Sequence, residues 1–110
     1  MDWIDIGTMD DIPRRGARRV ATPEGEVAVF RTVDDVIFAL ADRCPHRGGP
    51  LSEGIVAGHL VTCPLHNWVI DLESGHAVAP DEGCVPRHVV RVADGRLWLE
   101  RLPAKASAHD

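Results

Sequence analysis

The sequence has no apolar run that could cross a membrane, since its longest stretches, such as residues 36–41, are far shorter than a membrane-spanning helix. It also lacks the basic start and apolar stretch of a secretory signal, because Met1 is followed at once by Asp2. These absences predict a cytoplasmic protein that does not contact a membrane.

Basic residues are scarce: Lys and Arg number 12 against 17 Asp and Glu, and the formal net charge is -5. Proteins that bind nucleic acids place clusters of Lys and Arg against the phosphates. The nearest approach to such a cluster contains no aromatic residue and consists of Arg14, Arg15, Arg18 and Arg19. The sequence therefore predicts no nucleic-acid partner.

Cysteine is also sparse, with three residues, Cys44, Cys63 and Cys84. An odd number of cysteines in a reducing compartment argues against a disulfide framework, so metal binding or catalysis better explains at least two of them. Cys84 is predicted to be a buried structural residue, because free cysteine is among the most buried residue types.

The 110 residues suit a single domain, and ten Gly with eight Pro favour short strands joined by many turns. Apolar residues alternate or form short runs, which predicts an all-β fold. The predicted strands cover residues 3–6, 18–22, 27–32, 36–41, 60–62, 68–72, 89–93 and 96–102. We expect the domain to span residues 1–102 and residues 103–110 to form a disordered tail.

The clearest local pattern is Asp94-Gly95 between two alternating apolar stretches. Asp-Gly favours a type I′ turn, in which both central residues have positive φ. The predicted hairpin pairs Val92 with Leu97 and Val90 with Leu99, and it places Arg91 opposite Trp98.

Two short motifs each supply one thiol and one imidazole: Cys44-Pro45-His46 and Cys63-Pro64-Leu65-His66, with residues 47–62 between them. Thiolates suit iron–sulfur clusters and zinc, and imidazole suits iron and zinc. In a Rieske centre two Cys hold one iron and two His hold the other, so each motif would supply one ligand to each iron. A structural zinc site, which would make the chain an interaction module, is the alternative from a different class.

The pattern Cys-X-His, sixteen residues, Cys-X-X-His resembles the Rieske 2Fe-2S domain family. The resemblance implies a small antiparallel β-sandwich or barrel with two cluster-binding loops at one tip, within residues 43–68. It implies one Rieske-type cluster per chain, with Cys44, His46, Cys63 and His66 as ligands. No catalytic residue is implied, because four ligands saturate the cluster and the sequence offers no nucleophile–base pair.

Two positions depart from the Rieske proteins of respiratory complexes, which carry a Ser and a Tyr that donate hydrogen bonds to sulfur. The matching positions here are Trp68 and Ile70, and the chain has no Tyr. Fewer donors leave the reduced cluster less stabilised. The resemblance therefore implies a reduction potential of about -150 mV rather than about +300 mV.

Within the family, residues 66–72 and 81–84 are most similar to the small subunit of assimilatory NAD(P)H-dependent nitrite reductase. This similarity implies a redox subunit whose large siroheme and flavin partner reduces nitrite to ammonia during nitrate assimilation. The alternative within the family is a Rieske ferredoxin that passes electrons from a reductase to an aromatic-ring-hydroxylating dioxygenase. The remaining histidines are predicted to be surface or hydrogen-bonding residues: His59, His76, His88 and His109.

Overall fold

The computed structural model describes residues 3–22, 25–44, 49–64, 67–78 and 83–100. These residues form ten strands, and none of them belongs to an α-helix. The strands are β1 (Trp3–Thr8), β2 (Gly16–Thr22), β3 (Gly25–Arg31), β4 (Ile37–Ala41), β5 (Ile55–Ala57), β6 (Leu60–Thr62), β7 (Val69–Asp71), β8 (Arg87–His88), β9 (Val90–Ala93) and β10 (Arg96–Glu100). Single turns of 3-10 helix cover Met9–Asp11 and Leu51–Glu53.

The strands form three antiparallel sheets, as the all-β prediction required. The terminal sheet has the order β1-β10-β9, the central sheet β2-β3-β4-β8, and the small sheet β5-β6-β7. The predicted strands at 18–22 and 27–32 pair as β2 and β3. Strands β5 and β8 were not predicted, because segments of three and two residues are too short for apolar alternation to register.

The central sheet is the middle layer of the molecule, because its two faces contribute to two different cores. On β3, Val27 and Val29 join a core that includes Leu97 and Leu99 of the terminal sheet. The intervening residues Ala28 and Phe30 join a second core, which includes Val56, Val61 and Ile70 of the small sheet. The apolar run at 27–30 thus has both faces buried, as expected of a strand between two layers.

The β9–β10 hairpin has the predicted register. Leu97 lies opposite Val92, Leu99 opposite Val90, and Trp98 opposite Arg91. The turn residues have positive φ, 54° at Asp94 and 78° at Gly95, as a type I′ turn requires. Leu97 and Leu99 are fully buried, so the hairpin is fixed by its turn and by the core beneath it.

The small sheet requires two backbone segments to approach each other closely. Gly54 ends the 3-10 helix Leu51–Glu53, and a Cβ atom there would overlap the carbonyl oxygen of Thr62 on β6. Only a glycine lets the chain pass this point and pair β5 with β6. The predicted tail, residues 103–110, lies outside the described residues. Within the described part, no helix is long and apolar enough to span a membrane.

Candidate metal centre

Cys44 lies just beyond the end of β4 and begins the first loop, defined here as residues 44–49. Its side chain is almost fully buried, with 2% of the residue exposed. Its backbone N–H donates to the carbonyl of Gly49 at 2.8 Å, which closes the loop at its base. The thiol therefore occupies a fixed position where the loop leaves the core.

Cys63 directly follows β6 and begins the second loop, residues 63–68. It is completely buried, and its N–H donates to the carbonyl of Trp68 at 2.6 Å. The strands on either side are paired, with Thr62 opposite Val69. The second loop is thus the connection of a hairpin, and its closing hydrogen bond spans the same number of residues as that of the first loop.

Both thiols belong to one hydrophobic core, although they come from different sheets. The other buried members of this core are Ala28, Phe30, Leu40, Leu51, Val56, Val61, Ile70, Leu72 and Val85. Neither cysteine is in a disulfide. Trp68 packs against the same core from a partly buried position.

The donor chemistry of this part of the chain suits an iron–sulfur cluster. Two free thiols, shielded from water at the bases of two loops, match in kind and number the sulfur ligands that such a cluster requires. The predicted nitrogen ligands, His46 and His66, lie outside the described residues. Among the described residues no group of three or more His, Cys, Asp and Glu is placed to hold a metal ion.

The sequence did not point to two residues beside the first loop, Asp42 and Ser52. The Asp42 carboxylate accepts hydrogen bonds from the backbone N–H and the hydroxyl of Ser52, both at 2.7 Å, and from Arg19 at 2.8 Å. The sequence signal that could have identified them was an Asp shortly before the predicted ligand Cys44 and a Ser soon after the glycines of the first loop. Neither residue type binds iron in the predicted set, so the pattern carried no prediction.

His59 is a hydrogen-bonding histidine, in agreement with the prediction. Its Nδ1 lies 2.7 Å from Glu73 Oε2, its Nε2 lies 3.2 Å from Asp34 Oδ2, and its ring packs edge-on against Phe38. The hydrogen bond to Glu73, followed in size by the one to Asp34, raises the pKa of His59. These hydrogen bonds of His59 join the turn before β4 to the small sheet. His59 lies just before the start of β6, which is the end away from Cys63.

The prediction for Cys84 was wrong: the residue is exposed. It forms an isolated antiparallel bridge with His76, which is also exposed. A two-residue bridge at the surface covers neither side chain, and the general tendency of free cysteine to be buried does not apply there. The buried histidine of this region is instead His88, on β8.

Comparison with known proteins assigns the fold and its centre to a family. The model of the Rieske [2Fe-2S] domain matches residues 2–92. The anthranilate 1,2-dioxygenase ferredoxin subunit of Burkholderia cepacia is 37% identical over 98 residues, which cover 87% of this chain and 89% of that subunit.

Solved structures share the same fold. A chain from the complex of reduced oxygenase and oxidized ferredoxin in carbazole 1,9a-dioxygenase superposes with a TM-score of 0.84 and 25% identity, covering 93% of this chain and 95% of the other. A structure described as an NADH-dependent nitrite reductase small subunit from Mycobacterium tuberculosis gives 0.83 and 24%, covering 94% and 97%.

The matched region contains both buried thiols and both predicted histidine ligands, and it extends over most of the ten strands. The chain therefore belongs to the Rieske [2Fe-2S] domain family and is an electron-transfer protein that carries one Rieske-type 2Fe-2S cluster.

Proposed function

We propose that this chain is a Rieske ferredoxin that delivers single electrons to the oxygenase component of an aromatic-ring-hydroxylating dioxygenase. One observation carries the proposal: the 37% identity to the Burkholderia ferredoxin subunit extends over 89% of that subunit. A relationship over nearly the whole of both sequences favours the same kind of electron carrier. Location in the cytoplasm stays a prediction.

The proposed ligands are Cys44 and Cys63 on one iron and His46 and His66 on the other. When bound, the cluster would supply one-electron transfer, at the iron that His46 and His66 would hold. The residues of this chain provide two buried thiols and exclude water from them. Electron exchange with a partner would then occur from the side of the two histidines.

The ligand assignment is tested with Cys44→Ala and Cys63→Ala, prepared anaerobically beside the parent chain. Each should lose both irons, since the remaining ligands no longer complete the set and metal binding is coupled to folding. The measurements are absorption, EPR after reduction, and iron and zinc analysis. Cys84→Ala is the matched control, because Cys84 is exposed and far from the two loops in sequence, and it should keep both irons.

Full iron retention in either ligand variant would refute the assignment. A colourless parent chain with one zinc would instead support the interaction module, the alternative from a different class.

The second candidate is the small subunit of an NAD(P)H-dependent nitrite reductase, with a large siroheme and flavin subunit as its partner. The observation that favours it is the resemblance of residues 66–72 and 81–84 to that subunit. The likeness to the Mycobacterium tuberculosis structure, at 24% identity, is an argument for the shared fold alone.

The two candidates differ in their acceptor, and reconstitution separates them. The full chain with its cluster is added to an NADH-dependent reductase and an aromatic-ring dioxygenase that lacks its own ferredoxin. Restored ring hydroxylation supports the ferredoxin. No hydroxylation, together with stable binding to a large siroheme nitrite reductase subunit and a gain in nitrite reduction, would support the second candidate.

A further inference from the structure

The two loops are held at their bases in different ways. The second loop connects β6 to β7, and the pairing of these strands sets the distance between its two ends. The first loop leaves β4 in the central sheet and leads through the 3-10 helix Leu51–Glu53 to β5 in the small sheet. Among the residues described on its two sides, no strand ladder joins entry to exit, so other contacts must fix them.

Asp42 supplies these contacts from the entry side of the first loop. Its side chain is 2% exposed, and each carboxylate oxygen accepts a hydrogen bond from Ser52, which lies on the exit side. The inner hydrogen bond from Cys44 to Gly49 lies between these two residues in the chain. The loop is therefore closed by two nested sets of hydrogen bonds.

Arg19 extends the same arrangement to the central sheet. It projects from β2, and its Nε donates to Asp42 at 2.8 Å. Its guanidinium also lies 3.7 Å from Glu26 and 3.5 Å from Glu53. A buried carboxylate is strongly destabilising unless charge and hydrogen bonds compensate it, and here one Arg and two donors of Ser52 do so. We name Asp42, Ser52 and Arg19 the Asp42 clamp.

We propose that Asp42 is a positioning residue for the cluster, whose carboxylate fixes the exit of the first loop against its entry and so holds Cys44 at one distance from the second loop. The inference rests on the proposed assignment of Cys44 as a ligand. Removing a residue that orients a metal ligand typically lowers the metal affinity by about 10–100-fold. The clamp should therefore affect the cluster more strongly than it affects the fold.

The principal test is Asp42→Asn in the full chain with its cluster bound. Asparagine keeps the shape of the side chain but removes its charge and one acceptor oxygen. We expect the cluster to be lost to an iron chelator about 10–100-fold faster than from the parent, measured as bleaching well below the unfolding temperature. We also expect a shifted or broadened EPR signal of the reduced protein.

Asp35→Asn is the matched control. Asp35 also accepts hydrogen bonds from two arginines, Arg14 at 2.9 Å and Arg31 at 3.0 Å, but it lies before the start of β4, at the end away from the first loop. Its φ of 65° is one that asparagine adopts readily. This variant should lower the unfolding temperature while the parent rate of cluster loss and the parent EPR signal are retained.

A second pair of variants keeps the test valid if Asp42→Asn does not fold. Ser52→Ala removes one hydrogen bond of the clamp and should give a smaller acceleration of cluster loss. Ser52→Thr retains the hydroxyl and should restore the parent rate.

Cluster loss at the parent rate in both Asp42→Asn and Ser52→Ala would overturn the inference, as would equal acceleration in Asp35→Asn, because the effect would then follow general stability. A parent chain that binds no iron would instead overturn the proposed ligands themselves. The two kinds of failure are therefore distinguished by the iron content of the parent.

Discussion

At the scale of single residues, the chemistry depends on two thiols that are shielded from water. Cys44 and Cys63 are 2% and 0% exposed, yet each is followed directly by a loop. Both thiols belong to one hydrophobic core, at the bases of the two loops. That placement suits a bound cluster, which needs protection from solvent as well as a route to a partner.

The first prediction at this scale concerns the pH dependence of stability through His59. Its pKa is raised in the folded chain by hydrogen bonds to Glu73 and Asp34, above the ordinary value of about 6.5. A raised folded pKa stabilises the protein fully below about pH 6.5, and this stabilisation is lost as the pH rises through the folded value. His59→Gln should therefore lower the unfolding temperature more at pH 6 than at pH 9.

His76→Gln serves as the control, because His76 is exposed on the surface. Its effect on the unfolding temperature should be small at both pH values. An equal effect of His59→Gln at pH 6 and pH 9 would contradict the role of a charged His59.

The second prediction concerns the reduction potential. The positions five and seven residues after Cys63 are Trp68 and the fully buried Ile70, so neither can supply the hydroxyl donors of the respiratory Rieske proteins. The extra negative charge of the reduced state is then less stabilised. We expect a potential near about -150 mV from an EPR-monitored redox titration, whereas a value near about +300 mV would show that other groups supply strong donors.

At the scale of elements, the β9–β10 hairpin is determined locally. Its turn needs positive φ at two successive residues, and Asp94-Gly95 satisfies this at little cost. The alternation that follows places Leu97 and Leu99 into the core shared with the central sheet. Local turn chemistry and tertiary packing therefore select the same register.

Gly95→Ala tests the turn. A Cβ atom at Gly95 would have no neighbour within 4 Å, so a loss of stability would come from the φ of 78° and not from a clash. We expect the free energy of unfolding to fall by about 1 kcal/mol in urea denaturation. Asp94→Asn, which suits the same backbone conformation, should leave it nearly unchanged, and an unaffected Gly95→Ala would argue against the type I′ turn.

At the scale of the whole molecule, the central sheet is the middle of three layers, and both thiols lie in the core on one of its faces. The small sheet carries the second loop, whereas the first loop leaves the central sheet. Their relative position therefore depends on how the small sheet packs against the central one. Gly54 allows β5 and β6 to pair within the small sheet, since it lies against the Thr62 carbonyl just ahead of Cys63.

Gly54→Ala should disturb both the fold and the centre. The added methyl group would overlap the Thr62 carbonyl oxygen and approach Val61, which forces the two segments apart. We expect the free energy of unfolding to decrease by about 2 kcal/mol and the cluster to be released faster. Gly58→Asn is the control, because that position is open and asparagine tolerates its φ of 58°; equal effects of the two variants would contradict the close approach.

The sequence by itself determined the parts of this protein that depend on short-range chemistry. The spacing of Cys44, His46, Cys63 and His66 indicated the family and its cluster, because few centres use that donor set. Turn residues and apolar alternation were sufficient for the all-β class and for the register of the last hairpin. These features can be recognised from residue types and their spacing along the chain.

Only the tertiary structure decided which distant residues meet. It placed Cys84 at the surface, paired Asp42 with Ser52 across the first loop, and joined His59 to carboxylates from two other segments. It also revealed strands β5 and β8, which exist because neighbouring strands supply their hydrogen-bond partners. Such contacts follow from the packing of the sheets, and no periodicity within a single segment encodes them.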